Sequence, residues 1–199
     1  MSTVPRTHLT PEQYLTQERK AEFKSQYFRG EVFAIAGATR EHNLIVGNPV
    51  REIGNALKRF PCEVYPSDMR VKVSPSGLYT YPDATVVCEP PRFEDDQFDT
   101  LLNPTVLFEV LSESTEFDDR GSKFRPYRDI ASLKEYVMIA QDRASVEYYV
   151  RQTDRGWHLH EAQSAEDSVR FASIDVTVPL AKIYRNVRIE KPSESERAE

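Results

Sequence analysis

Apolar and polar positions alternate in two ways along the chain, and each predicts a different element. Between residues 41 and 59, Leu44, Ile45, Ile53 and Leu57 recur at helical spacing, while Glu41, Arg51, Glu52, Lys58 and Arg59 can face water. That pattern predicts an amphipathic helix. Pro49 lies inside it and predicts a kink or the helix's true start, and Phe60-Pro61 ends it. A shorter helix is predicted from Thr10 to about Lys20, with Thr10 as N-cap, Pro11 at the first helical position and Gln13 closing a capping box. From Phe23 to Ala36 the pattern is strand-like, with Arg29-Gly30 as the turn between two short antiparallel strands.

Strands dominate the rest. CEVYPSDMRVKV (62–73), DATVVCE (83–89) and TVLFEVLS (105–112) are rich in β-branched and aromatic residues. The last two are apolar nearly throughout, as expected of strands buried on both faces. EYVMIA (135–140) is another apolar strand, followed by a hairpin of 145–152 and 156–163 around Asp154-Arg155-Gly156. A helix capped by Asp118-Asp119 is predicted over roughly 119–131, with Pro126 disturbing its second half, and VTVPLAKIYRNV is a packed terminal segment. This order predicts one α/β domain over 10–188, between a flexible arm at 1–9 and a polar mobile tail at 189–199. Alternating helices are too few for a barrel or a doubly wound sheet.

Composition narrows the class. The 199 residues are 39% hydrophobic and include ten Phe, ten Tyr and one Trp, enough to build a core. No apolar run approaches the ~18–20 residues that span a bilayer, so no membrane association is expected. The N-terminus has no apolar signal segment, which predicts a cytoplasmic chain. Cys62 and Cys88 belong to no CxxC pair and read as free buried thiols, and four scattered histidines offer no zinc-ligand spacing. A net charge of −6 argues against a protein that coats nucleic acid, since such binding is electrostatic. It leaves room for a nuclease whose cations are confined to one cleft.

Two carboxylates stand out because they interrupt apolar strands: Asp83 at the entrance to ATVVC, and Glu109 between TVLF and VL. A charge inside a buried strand is costly unless it is paired or coordinates a metal. On neighbouring strands ~4.8 Å apart, two such acids can approach one divalent cation, and hard oxygen ligands suit Mg2+ or Mn2+. Lys123, at the start of the helix after Glu109's strand, is placed to contact a phosphate or a water nucleophile. The acidic run Glu94-Asp95-Asp96 reads as a solvated loop or as a flap near a site.

These residues sit within strings that resemble the Uma-type restriction endonuclease family. The resemblance runs through RGEVFAIAGATREHNLIVGN, CEVYPSDMRVKV and NPTVLFEVLSESTEFDDRGSKFRPYRDIASLKEYVMI to GWHLHE, about residues 10–185. Such proteins are similar to the PD-(D/E)XK nucleases. The resemblance implies a restriction-endonuclease-like mixed central sheet flanked by helices, with an added antiparallel hairpin region. It implies Pro82-Asp83 as the PD element, Glu109 as the second acid, and Asp83 and Glu109 as ligands of Mg2+ or Mn2+. Two departures matter: Leu111 stands where a basic residue is usual, with Lys123 as its migrated equivalent, and Gln26 stands where relatives carry an acid.

His42-Asn43 matches the family's HN pair at a helix start, Ser112 has no His–Asp partner arrangement, and His158 and His160 read as surface residues. The expectation is a metal-dependent endonuclease acting on DNA, with Asp83, Glu109 and Lys123 as its catalytic residues and Arg120, Arg125 and Arg128 forming a cationic lip. The alternative is a nuclease fold kept as a binding or assembly module, which Gln26 and the net charge favour; hydrolysis of a small phosphate ester is a third option. Tyr148, Tyr149 and Trp157 either form a homodimer interface or complete the chain's own core.

Overall fold

The computed structural model describes residues 8–74, 76–112, 123–154 and 156–189. Helix α1 (Pro11–Glu18) carries the expected capping box: Gln13 N donates to Thr10 Oγ1 at 3.3 Å, and Thr10 N to Gln13 Oε1 at 2.9 Å. Strands β1 (Ser25–Phe28) and β2 (Glu31–Ala34) follow as a hairpin. Its turn has positive φ at both Arg29 (49°) and Gly30 (91°), the pair of conformations that matches strand twist. A side chain at position 30 would also collide with His8.

Helix α2 (Arg40–Ala56) starts at Thr39, whose Oγ1 accepts from His42 N at 3.1 Å, and it continues through Pro49 as one element. Strands β3 (Glu63–Pro66), β4 (Arg70–Val73), β5 (Leu78–Thr80), β6 (Ala84–Val87), β7 (Thr100–Leu101) and β8 (Val106–Leu111) come next. After them come α3 (Phe124–Tyr127), β9 (Glu135–Ala140), β10 (Val146–Arg151), β11 (Trp157–Ala162), β12 (Ser168–Phe171), β13 (Val176–Pro179) and α4 (Leu180–Ile183). The predicted strand 62–73 is thus two strands, because 67–69 turns the chain from one sheet into the other. The predicted helix over 119–131 lies partly outside the described residues, and its described part is helical only to Tyr127.

The central feature is a six-stranded sheet in the order β11-β10-β9-β8-β6-β3, in which only β8 and β9 run parallel. A five-stranded sheet, β2-β1-β5-β4-β7, covers one of its faces, and α2, α4 and the β12-β13 hairpin cover the other. The architecture is therefore mixed α/β, as the sequence predicts. Alternation along β8 shows why both faces had to be apolar. Val106, Phe108 and Val110 pack with Ile45 and Ile53 of α2 and its C-cap Leu57, while Leu107 and Leu111 pack between the sheets with Val71, Val73 and Leu78. Helix α1 lies on the outer face of the smaller sheet, where Tyr14 stacks on Tyr27 at 5.1 Å between ring centroids.

One expectation changes here, and two open readings are narrowed. Cys62 and Cys88 are joined in a disulfide rather than free, and both are only half-buried. They lie one residue beyond the Glu63↔Val87 pair of β3 and β6, so the antiparallel register sets them opposite each other. A disulfide is uncommon in a reducing cytoplasm, so this pairing lends no support to the cytoplasmic expectation. The acidic run is an exposed loop, as in the first of its two readings, tied down at its edges by ion pairs and not lining the site described below. Arg19, the C-cap of α1, binds Asp95 and Asp99 at 2.8 and 2.7 Å, and Lys72 binds Glu94 at 2.5 Å. Finally, Tyr149 and Trp157 pack on Phe124, with centroids 4.1 and 5.5 Å away, and so serve the chain's own interior. No described helix is long and apolar enough to cross a membrane.

Candidate active site

Strand register assembles the site. Ala84 of β6 pairs with Phe108 of β8, so Asp83, one residue before β6, falls opposite Glu109. Both lie on the face of the larger sheet that looks toward the smaller one. Facing positions on adjacent antiparallel strands hold their Cβ atoms about 5 Å apart. The two acids picked out as interruptions of apolar strands are thus neighbours, and they line one cavity of about 610 Å3.

Each acid is held in place. Asp83 Oδ2 accepts from the backbone N–H of Val110 at 2.7 Å, and its Oδ1 lies 2.8 Å from His42 Nε2. Glu109 is 3% exposed; its Oε1 accepts from the Tyr127 hydroxyl at 2.8 Å and lies 3.3 Å from Lys123 Nζ. A carboxylate this deep is tolerated because a hydroxyl and an ammonium group replace its lost water. Lys123, immediately before α3, also lines the cavity, so all three predicted residues converge.

Sequence reasoning underweighted two contributors. His42 sits in the first turn of α2 and reaches Asp83 across 41 sequence positions, a contact only the packing of α2 beside β6 creates. Tyr127 is fully buried among apolar residues of the inter-sheet layer, and nothing in FRPY marks its hydroxyl as a partner of Glu109. Gln26 lies elsewhere than the cavity lining. It is 3.5 Å from Thr80, on the face of β1 that meets the larger sheet. Arg125 and Arg128 are exposed and do not line the cavity, while Arg120 lies outside the described residues. Ser112 does line it. His158 and His160 are exposed on β11, as predicted.

The donor set fits a hard divalent cation. Among the described residues no group of three or more His, Cys, Asp or Glu could hold a metal ion, which disfavours a site that encloses its ion with protein ligands alone. Mg2+ does not need one: it keeps several waters and takes one or two carboxylates together with substrate phosphate. Asp83 and Glu109 supply that number.

A family model, Uma2, described as "Putative restriction endonuclease", matches residues 11–180. The Synechocystis sp. protein sll1609 is 36% identical over 168 residues, covering 84% of this chain and 95% of its own. A second Synechocystis protein, slr1290, is 32% identical over 185 residues, covering 93% and 96%. A crystal structure from Anabaena variabilis, described as a putative nuclease belonging to DUF820, superposes with a TM-score of 0.70 at 16% identity, over 88% of this chain and 97% of that one. At that identity the likeness is one of fold.

Proposed function

The chain belongs to the Uma2 family of restriction-endonuclease-like proteins, and on that premise we propose that it is a Mg2+- or Mn2+-dependent endonuclease hydrolysing phosphodiester bonds of DNA. The observation that carries this reading is the convergence of Asp83, Glu109 and Lys123 on one cavity, with the two acids opposite each other on adjacent strands. Asp83 and Glu109 would hold the cation, which when bound polarises a phosphoryl oxygen and makes a water more acidic.

The remaining work belongs to side chains on the page. Lys123 faces the charge that builds on the phosphoryl oxygens as water adds to phosphorus and the ester oxygen departs. Its ion pair with Glu109 keeps it at the cavity wall before substrate arrives. Tyr127 fixes the orientation of Glu109, and the Val110 amide together with His42 fixes that of Asp83, so neither carboxylate needs to reorganise during the reaction. The inter-sheet core beneath them keeps this geometry rigid.

The experiment is nicking of supercoiled plasmid with Mg2+ or Mn2+, comparing wild type with Asp83→Ala and Lys123→Ala. The proposal expects metal-dependent cleavage that both substitutions abolish; no cleavage, or cleavage unaltered in both, overturns it. A second reading, a nuclease fold used as a binding or assembly module, is favoured by the lack of a three-residue ligand group among the described residues. Calorimetric titration with Mn2+ separates the two, since the module reading expects no measurable heat of binding.

A further inference from the structure

Phe23 is 75% exposed, the highest value among the exposed large hydrophobic side chains of the described residues. It lies in the short connection between α1 and β1, and it lines the same cavity as Asp83, Glu109 and Lys123. Many rings of the fold are used on one another, Phe124 packing against Tyr136, Tyr149 and Trp157, while Phe33, Phe60 and Phe98 are exposed as Phe23 is but do not line this cavity. A bare phenyl ring lining a polar cavity offers a flat apolar face on which a planar group of a ligand can stack.

The charges around the cavity define that occupant further. The lining carries three carboxylates, Glu22, Asp83 and Glu109, against two ammonium groups, Lys24 and Lys123. Counting His42 as a cation only balances them. Lys24 is itself engaged, 2.9 Å from Asp68 and 3.1 Å from the Ser67 carbonyl. A bound divalent cation would turn the described lining slightly positive, but a duplex gripped by its phosphates needs several cations along its track, and the described lining offers only Lys24 and Lys123 beside that cation. A volume near 610 Å3 suits one or two nucleotides, being within the roughly 300–1,000 Å3 that encloses a small organic ligand.

Building on the reading of this cavity as a DNA-hydrolysing site, we infer that its substrate is single-stranded or locally unpaired DNA, with Phe23 as the platform on which an unstacked base rests beside the scissile phosphate. Stacking tolerates any base, because every base has a π-face, and it compensates for weak backbone attraction. The Phe23 ring takes the place that a neighbouring base holds in a duplex. With the two ammonium groups of the lining already in ion pairs, Lys24 with Asp68 and Lys123 with Glu109, the salt dependence is shallow, with a slope no steeper than about −1.4 in log K against log salt.

The test measures binding of a fluorescent oligothymidylate, its duplex with oligodeoxyadenylate, and an abasic oligomer of equal length, by anisotropy in Ca2+ buffer with cleavage followed on gels. Wild type is expected to bind the single strand more tightly than the duplex or the abasic strand. Phe23→Ala weakens single-strand binding about 5- to 150-fold, the loss of one base–aromatic stack, and leaves abasic binding unchanged. Phe23→Trp restores affinity, and its added emission is quenched by the oligomer. Because the ring is exposed, Phe23→Ala retains the wild-type melting midpoint. Equal affinity of wild type for single strand and duplex, or of Phe23→Ala and wild type for the single strand, overturns the inference. Metal-dependent cleavage that is the same in Phe23→Ala and wild type on every DNA overturns it while leaving the nuclease reading intact. Phe23-dependent single-strand binding with no cleavage under any metal does the reverse.

Discussion

Replacing Tyr127 by Phe removes one hydroxyl and little else. The ring is fully buried, packs 5.3 Å from Tyr136 between centroids, and belongs to the inter-sheet layer, all of which Phe retains. What is lost is the 2.8 Å hydrogen bond to Glu109 Oε1, a bond to an ionised acceptor at a position 3% exposed. Such a bond contributes about 1.5–3 kcal/mol. At ~2–4 °C per kcal/mol for a chain of this size, the melting midpoint falls by roughly 3–12 °C.

A double-mutant cycle isolates the pair. Urea unfolding of wild type, Tyr127→Phe, Glu109→Ala and the double variant should show Tyr127→Phe costing about 1.5–3 kcal/mol alone and almost nothing once Glu109 is gone. In nicking assays the same substitution should raise the Mn2+ concentration needed for half-maximal rate, because Glu109 is no longer held toward the cation. A coupling energy below about 0.5 kcal/mol, the limit for independent sites, refutes the claim that Tyr127 positions Glu109.

Other features give separate expectations. Glu135 is fully buried with Oε2 unpartnered, and burial pushes its carboxyl above its ordinary value of 4.5 despite the Ser173 amide at 2.9 Å. The folded chain therefore holds this proton where the unfolded chain releases it, and stability falls as pH rises above 4.5. Glu135→Gln should gain on wild type at pH 8 but not at pH 4 in urea melts; a gap equal at both pH values contradicts this. Asp99 behaves oppositely, held at about 2 by Arg19, so its contribution is present above its ordinary 3.8 and lost as pH falls toward 2. Arg19→Ala should move the acid-unfolding midpoint, followed by circular dichroism, to higher pH; an unchanged midpoint removes Arg19 as the cause. Reducing the Cys62–Cys88 disulfide, with its sequence separation of 26, should cost about 3.5 kcal/mol by loop-closure entropy, and a Cys62→Ser/Cys88→Ser variant with wild-type stability argues against the bond.

Sequence pattern was most informative where one principle acted alone. The capping box of α1 and the turn at Arg29-Gly30 are local, and both appear as read. Asp83 and Glu109 were visible because a charge in an apolar strand demands an explanation, and Lys123 from its place at the start of the helix after Glu109's strand, reinforced by family resemblance. What stayed hidden depends on long-range register. The Cys62–Cys88 bond needs β3 set antiparallel to β6, a pairing no cysteine spacing announces. The His42–Asp83 contact needs a helix from one layer to meet a strand end of another. The three-residue β5 and two-residue β7 are too short for periodicity to register, and β7 forms inside what reads as a loop because it pairs with β4. The division into two stacked sheets follows from those short strands and was illegible for the same reason.

Whether Asp83 and Glu109 act together on one cation is tested most directly by anomalous diffraction from a crystal soaked in Mn2+. The account predicts one peak in the cavity within coordination distance of carboxylate oxygens from both residues, with Lys123 Nζ at the edge of the same space. A peak held by only one of the two acids, or none at a saturating concentration of the metal, contradicts it.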